Sequence, residues 1–139
     1  MIRAGEKVFV DTGAWVALAL ARDPFNGRAK EALEELVAAA ARLVLSVPVA
    51  IETYTFLQRR YAEAVALSWR DRVRELDRLE LVDCTAADLS AAWAFMDRKE
   101  LHKLSLVDAT SFALMNRHQV RVAFTFDTHF AEVGFRCVG

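Results

Sequence analysis

The chain lacks most of what specialised binding chemistry would need. Its two cysteines, Cys84 and Cys137, are too far apart for a metal knuckle and too few for a disulfide framework. They fit reduced, cytosolic core residues. A formal net charge of −1 and a pI near 6.3 exclude the basic field of a protein held on nucleic acid by charge alone, so any such contact must be local. The longest apolar runs, such as AWVALALA, fall well short of the roughly 20 residues that span a membrane, and MIRAGEKVFV has no signal-peptide stretch. A cytoplasmic protein is expected, with no membrane contact. Repeats, low-complexity tracts and linkers are absent.

What is present is a hydrophobic fraction of 55% with 27% charged residues in 139, enough for one domain, residues 1–139, with a core that needs no metal or disulfide staple. Apolar strand-like runs, KVFVD (7–11), RLVLS (42–46), LELVDC (79–84), RVAFTF (121–126) and FRCV (135–138), alternate with helical patterns. Asp23-Pro24 ends the first helix, and Pro48 suits the first turn of VPVAIETYTFLQRRY. The helix at 25–41 carries a stripe of Ala29, Leu33, Leu36, Val37 and Ala40. The one after residue 62 carries Val65, Trp69, Val73 and Leu76. Thr85 with Asp88 and Ser105 with Asp108 spell two capping boxes. This order predicts an α/β fold, a central and largely parallel sheet flanked by helices.

The Asp-Thr-Gly-Ala at 11–14 matches the catalytic motif of a retroviral-type aspartic protease, but that fold is all-β and rich in glycine, whereas this chain has five glycines and at least five helical patterns. A phosphatase using Asp11 as nucleophile would want a second aspartate two residues on, where Gly13 stands. In a doubly wound sheet, ligands bind beyond the carboxyl ends of the strands, and Asp11 and Asp127 both end strands. Each is also a natural helix N-cap. Glu52 is the sole charge in PVAIETYTFL, where a carboxylate is costly unless exposed, paired with an arginine, or bound to a cation. Asp108, the third residue of a capping box, lies in the otherwise uncharged LSLVDATSFALM. Four acids in apolar settings exceed what capping requires. Gathered together they would repel, and one or two hard divalent cations such as Mg²⁺ or Mn²⁺ would relieve the repulsion while leaving positions for water and phosphate. Without a convincing His or Cys cluster, zinc is not expected. His102, His118 and His129 are read as surface residues, although His129 could lie near the site.

The order of VFVDTGAW, VPVAIETYTFLQRR, LSLVDATSFALM and AFTFDTHFAEVGF, together spanning residues 7–138, resembles the PIN domain and, within it, the VapC-type ribonuclease toxins. By position, the family's acidic quartet falls on Asp11, Glu52, Asp108 and Asp127. Thr125 matches its small hydroxyl, and Thr12 could act similarly. The resemblance implies a Mg²⁺- or Mn²⁺-dependent endoribonuclease acting on RNA, a homodimer, and a small antitoxin protein that enters the active-site groove. A non-catalytic PIN-like module that binds RNA or protein is the alternative. Gln58, Arg59, Arg60, Arg70, Arg72 and Arg74 are open as phosphate contacts or solvated helix faces. Trp15, Tyr54 and Phe56 are open as partner contacts or core.

Overall fold

The short strands and the helices between them alternate through the whole chain. In the computed structural model, which describes residues 2–139, the order is β1 (Lys7–Val10), α1 (Thr12–Ala19), α2 (Asn26–Ala38), β2 (Arg42–Ser46), α3 (Val47–Arg60), α4 (Glu63–Arg74), β3 (Leu79–Val82), α5 (Ala86–Met96), α6 (Leu106–Arg117), β4 (Val122–Phe124), α7 (His129–Glu132) and β5 (Arg136–Val138). The five strands form one sheet in the order β3-β2-β1-β4-β5, and every pairing is parallel. Both faces of a parallel sheet must be covered by its crossover helices. This explains why Val8, Phe9, Val10, Val122, Ala123 and Phe124 are all fully buried in strands that show no polar alternation.

The chain moves outward from β1 to β2 and β3, then returns to place β4 on the other side of β1. The β1–β4 pair is therefore the point where winding reverses, and a crevice opens beyond its carboxyl ends. Register fixes what stands there. Val10 pairs with Phe124, and the Asp11 amide donates to the Phe124 carbonyl at 3.0 Å, so Asp11 and Thr125 leave the sheet side by side. Beneath the crevice, Phe112 of α6 packs edge-on against Phe130 of α7 with ring centroids 4.9 Å apart, both fully buried.

Several sequence expectations needed correction. The helix after residue 62 ends at Arg74, with tight amide bonds from Glu75 and Leu76 to Arg72 and Val73; Leu76 lies past it and is exposed. Its buried residues are Ala66 and Trp69, with Val65 and Val73 at the margin. In α2 the buried stripe is Ala29, Ala32 and Leu36, which turns the next residue, Val37, to solvent. The cysteines are free but not core: Cys137 is exposed on the edge strand β5, and Cys84 is half-buried just past β3. Among the described residues, no helix is long and apolar enough to cross a membrane.

Candidate active site

Four separate segments supply the acids. Asp11 caps α1 from the end of β1, Glu52 sits in the second turn of α3, Asp108 in the first turn of α6, and Asp127 just beyond β4. All four line one cleft of about 470 Å³. Capping accounts for part of each aspartate's setting. Asp11 Oδ1 accepts from the Thr12 amide at 2.8 Å, and Asp127 Oδ1 accepts from the His129 amide at 2.9 Å. The second expected capping box is only half formed. Ser105 Oγ accepts from the Asp108 amide at 3.0 Å, but the reciprocal bond that completes the Thr85–Asp88 box is missing, which leaves the Asp108 carboxylate to the cleft.

Thr125 ties the central pair together. Its Oγ1 donates to Asp11 Oδ2 at 2.9 Å and accepts from the Asp127 amide at 3.0 Å, so one hydroxyl sets two of the acids. Asp11 is 5% exposed. Burial raises its pKa, the Thr125 and Thr12 bonds pull it back, and the charges of Asp127 and Glu52 push it up again, to about 6. Burial and then the neighbouring Asp11 and Asp127 push Asp108 further, to about 8.

His129 is the residue that sequence reasoning misplaced. It is not on the surface but half-buried, its Nδ1 2.7 Å from Asp127 Oδ1 and its Nε2 2.6 Å from the carbonyl oxygen of His102. Both partners are acceptors, so both ring nitrogens serve as donors and the imidazolium is favoured. Burial opposes that charge, but the His102 carbonyl and Asp127 outweigh it and raise the His129 pKa. The signal available in the sequence was the spacing Asp127-Thr128-His129, which brings an imidazole back on an aspartate through an Asx turn. The side chains of His102 and Lys103 are exposed, while His118 is half-buried at the end of α6.

The other polar candidates lie apart from the acids or around the rim. Gln58, Arg59 and Arg60 are exposed near the end of α3, where the two arginines and Glu52 share a neighbouring groove. Arg70 is spent on Asp71 at 2.9 Å, Arg72 lines an apolar groove elsewhere, and Arg74 is exposed. Trp15 is core, edge-on to Trp69 at 5.9 Å; Tyr54 is half-buried, and Phe56 reaches the cleft.

The donor set suits a hard divalent cation. Among the described residues, Asp11, Glu52 and Asp108 have no lysine or arginine partner, and the Thr12 hydroxyl beside Asp11 is buried without a hydrogen bond. Ligand atoms of Asp108 and Asp127 lie within 4.8 Å of each other and of His129, whose ring nitrogens are both occupied by acceptors and which therefore supports Asp127 and is not itself a free ligand. Carboxylates this crowded, with His129 balancing Asp127 alone, leave room for the positive charge of a hard cation.

An all-parallel sheet with carboxylates converging beyond its strand ends defines an α/β domain with an acidic site at its topological switch point. The chain belongs to the PIN-domain family, of the VapC type. The family's sequence model, described as PIN domain, matches residues 8–136. The chain is 36% identical over 131 residues to the 23S rRNA-specific endonuclease VapC20 of Mycobacterium tuberculosis H37Rv, covering 92% of this chain and 95% of that protein. The crystal structure of M. tuberculosis VapC20, titled a sarcin-ricin loop cleaving toxin, superposes with a TM-score of 0.79 at 33% identity, covering 92% of this chain and 95% of that one. VapBC2 from Rickettsia felis, bound to a promoter DNA fragment, shares the fold with a TM-score of 0.70 at 16% identity, covering 94% and 96%.

Proposed function

We propose that the chain is a Mg²⁺- or Mn²⁺-dependent endoribonuclease that hydrolyses RNA phosphodiester bonds, and that it is the toxin of a type II toxin–antitoxin pair. The observation that carries this reading is the convergence of Asp11, Glu52, Asp108 and Asp127 on one cleft where, among the described residues, no lysine or arginine balances them and only Asp127 has a basic partner, His129. Similarity along nearly the whole chain to an rRNA endonuclease supports it. Likeness to the solved VapBC2 structure supports a small antitoxin partner, and the exposed apolar side chains of α3, Ile51 among them, support a homodimer.

In this reading the four acids hold one or two cations. When bound, such an ion activates water and offsets charge on the phosphate. The remaining work belongs to the chain. Thr125 keeps Asp11 and Asp127 in register through its two bonds. His129 holds Asp127 from the far side and ties it to the loop at His102. Asp108, whose pKa burial and its acidic neighbours raise to about 8, holds a proton near neutral pH, and Asp11, raised to about 6, does so only on the acid side, so cation uptake at this site would be coupled to proton loss, chiefly from Asp108.

The test is cleavage of RNA by the purified chain. Mg²⁺ or Mn²⁺ supports cutting, EDTA stops it, and Asp11→Asn or Asp108→Asn slows it by at least about 100-fold, as expected when groups that bind charge in the transition state are lost. An Asp11→Asn protein that cuts at the wild-type rate overturns the site. Protein that binds RNA but fails to cut it with every divalent ion tested is the binding module instead.

A further inference from the structure

Phe25 occupies a position for which phenylalanine is poorly suited. It is the N-cap of α2, where Ser, Thr, Asp or Asn would satisfy the open amides, and it makes no side-chain capping bond. The neighbouring turn is instead closed by Asp23, whose Oδ1 accepts from the Phe25 amide at 2.8 Å. The Phe25 ring is 41% exposed and lines the acidic cleft together with Phe126. A large ring that stands at a capping position yet neither caps its helix nor enters the core breaks a local rule, and such breaks are expected at functional positions.

The ring is also held ready. Phe25 and Phe126 stack with centroids 4.6 Å apart and planes at 11°, and Phe124 supports Phe126 edge-on from the core at 6.1 Å. The Arg28 guanidinium lies 5.4 Å and 5.2 Å from the two ring centroids and donates to the Gly139 carbonyl at 3.0 Å. That bond occupies one of its five donors. The result is a column of rings rooted in the sheet, ending in a half-exposed aromatic beside four carboxylates, with a cation at its edge.

Aromatic faces of this kind stack on unpaired nucleobases, and a platform ordered beforehand spares the cost of ordering it on binding. Resting on the nuclease reading above, we propose that Phe25, backed by Phe126 and flanked by Arg28, is the stacking platform for an unpaired base of the RNA next to the phosphate that the acids address. A base inside a continuous duplex has no free face to offer, so the platform selects single-stranded or looped RNA.

The test uses short single-stranded oligoribonucleotides carrying 2-aminopurine at successive positions, titrated with the intact protein in Ca²⁺, together with steady-state cleavage in Mn²⁺. Wild type quenches the fluorophore at one position. Phe25→Trp and Phe25→Tyr keep that quench. Phe25→Ala and Phe25→Leu lose it and raise KM roughly 10- to 100-fold, with kcat held within about threefold. Because the leucine retains apolar bulk without a ring, loss of quench in a folded Phe25→Leu protein reports stacking and not packing. Unchanged quench and KM in Phe25→Ala and Phe25→Leu overturn the platform while the nuclease reading stands. Wild type that neither binds nor cuts any oligoribonucleotide overturns both.

Discussion

Asp11 and Asp108 are acids whose folded-state pKa values, about 6 and about 8, lie above the ordinary 3.8. The folded protein therefore binds protons more tightly than the unfolded chain, and linkage sets the sign. Their contribution is fully present below pH 3.8 and is lost as pH rises through the folded values. The metal-free protein should lose stability between about pH 5.5 and 8, with Asp108 still contributing where Asp11 has finished. At 1.36 kcal/mol per pKa unit, the Asp11 shift amounts to about 3 kcal/mol at most. Thermal melts across this range should show a falling Tm, a shallower fall in Asp108→Asn, and a larger gain on adding Mn²⁺ at pH 8 than at pH 5.5. A separate expectation concerns His129→Ala, which removes the support behind Asp127. Loss of such a partner of a metal-ligating carboxylate costs roughly 10- to 100-fold in activity or cation affinity, measurable by cleavage assays over a Mn²⁺ titration. The quartet was legible in the sequence because each acid interrupts an apolar stretch. His129 was less legible, because its one signal, the Asp127-Thr128-His129 spacing, has no periodicity and does not by itself announce the turn that folds the imidazole back.

The strands and most helices could be read from the sequence, since the inner parallel strands β1, β2 and β4 appear as apolar runs and α1, α3, α5 and α6 carry side-chain caps. Thr85 and Asp88 form their box as spelled, and Asp88 goes further by accepting Arg117 Nε at 2.8 Å and Nη2 at 2.9 Å, which ties the start of α5 to the end of α6. Burial raises the pKa of Asp88, but Arg117 and Thr85 more than offset this and lower it. That cross-link is tertiary, and no local pattern announces it. Helix ends were less legible. The run Ala38-Ala39-Ala40-Ala41 has no glycine to stop α2, yet Ala40 adopts φ 53°, with the Ala41 amide closing on the Leu36 carbonyl at 3.0 Å. An L-residue in that left-handed region costs about 1 kcal/mol that glycine avoids. Ala40→Gly should therefore raise Tm by about 4 °C in a domain of this size, measured by thermal denaturation. Thr85→Ala should cost about 1 kcal/mol and lower Tm by a similar amount.

At the scale of the whole molecule, alternation of strands and helices implies a parallel sheet but not the order β3-β2-β1-β4-β5, which depends on which way each crossover turns. That order places β1 beside β4 and so brings Asp11 to Asp127 across more than a hundred residues. The helices exposed on the outside leave Ile51 63% accessible on α3, in a groove that continues from Glu52 to Val107. In the homodimer proposed above this face is covered, and Ile51→Glu should convert a dimer into a monomer in sedimentation experiments. A wild-type chain that sediments as a monomer at every concentration removes the dimer and leaves the site untouched. The proposed function requires only that four acids from four segments form one cation site. Calorimetric titration of the metal-free protein with Mn²⁺ at pH 7, repeated in buffers of different ionisation heat, tests it most directly. The expected result is saturable binding with protons released to the buffer, both lost in Asp108→Asn. Absence of binding, or binding and proton release unchanged in Asp108→Asn, would contradict it.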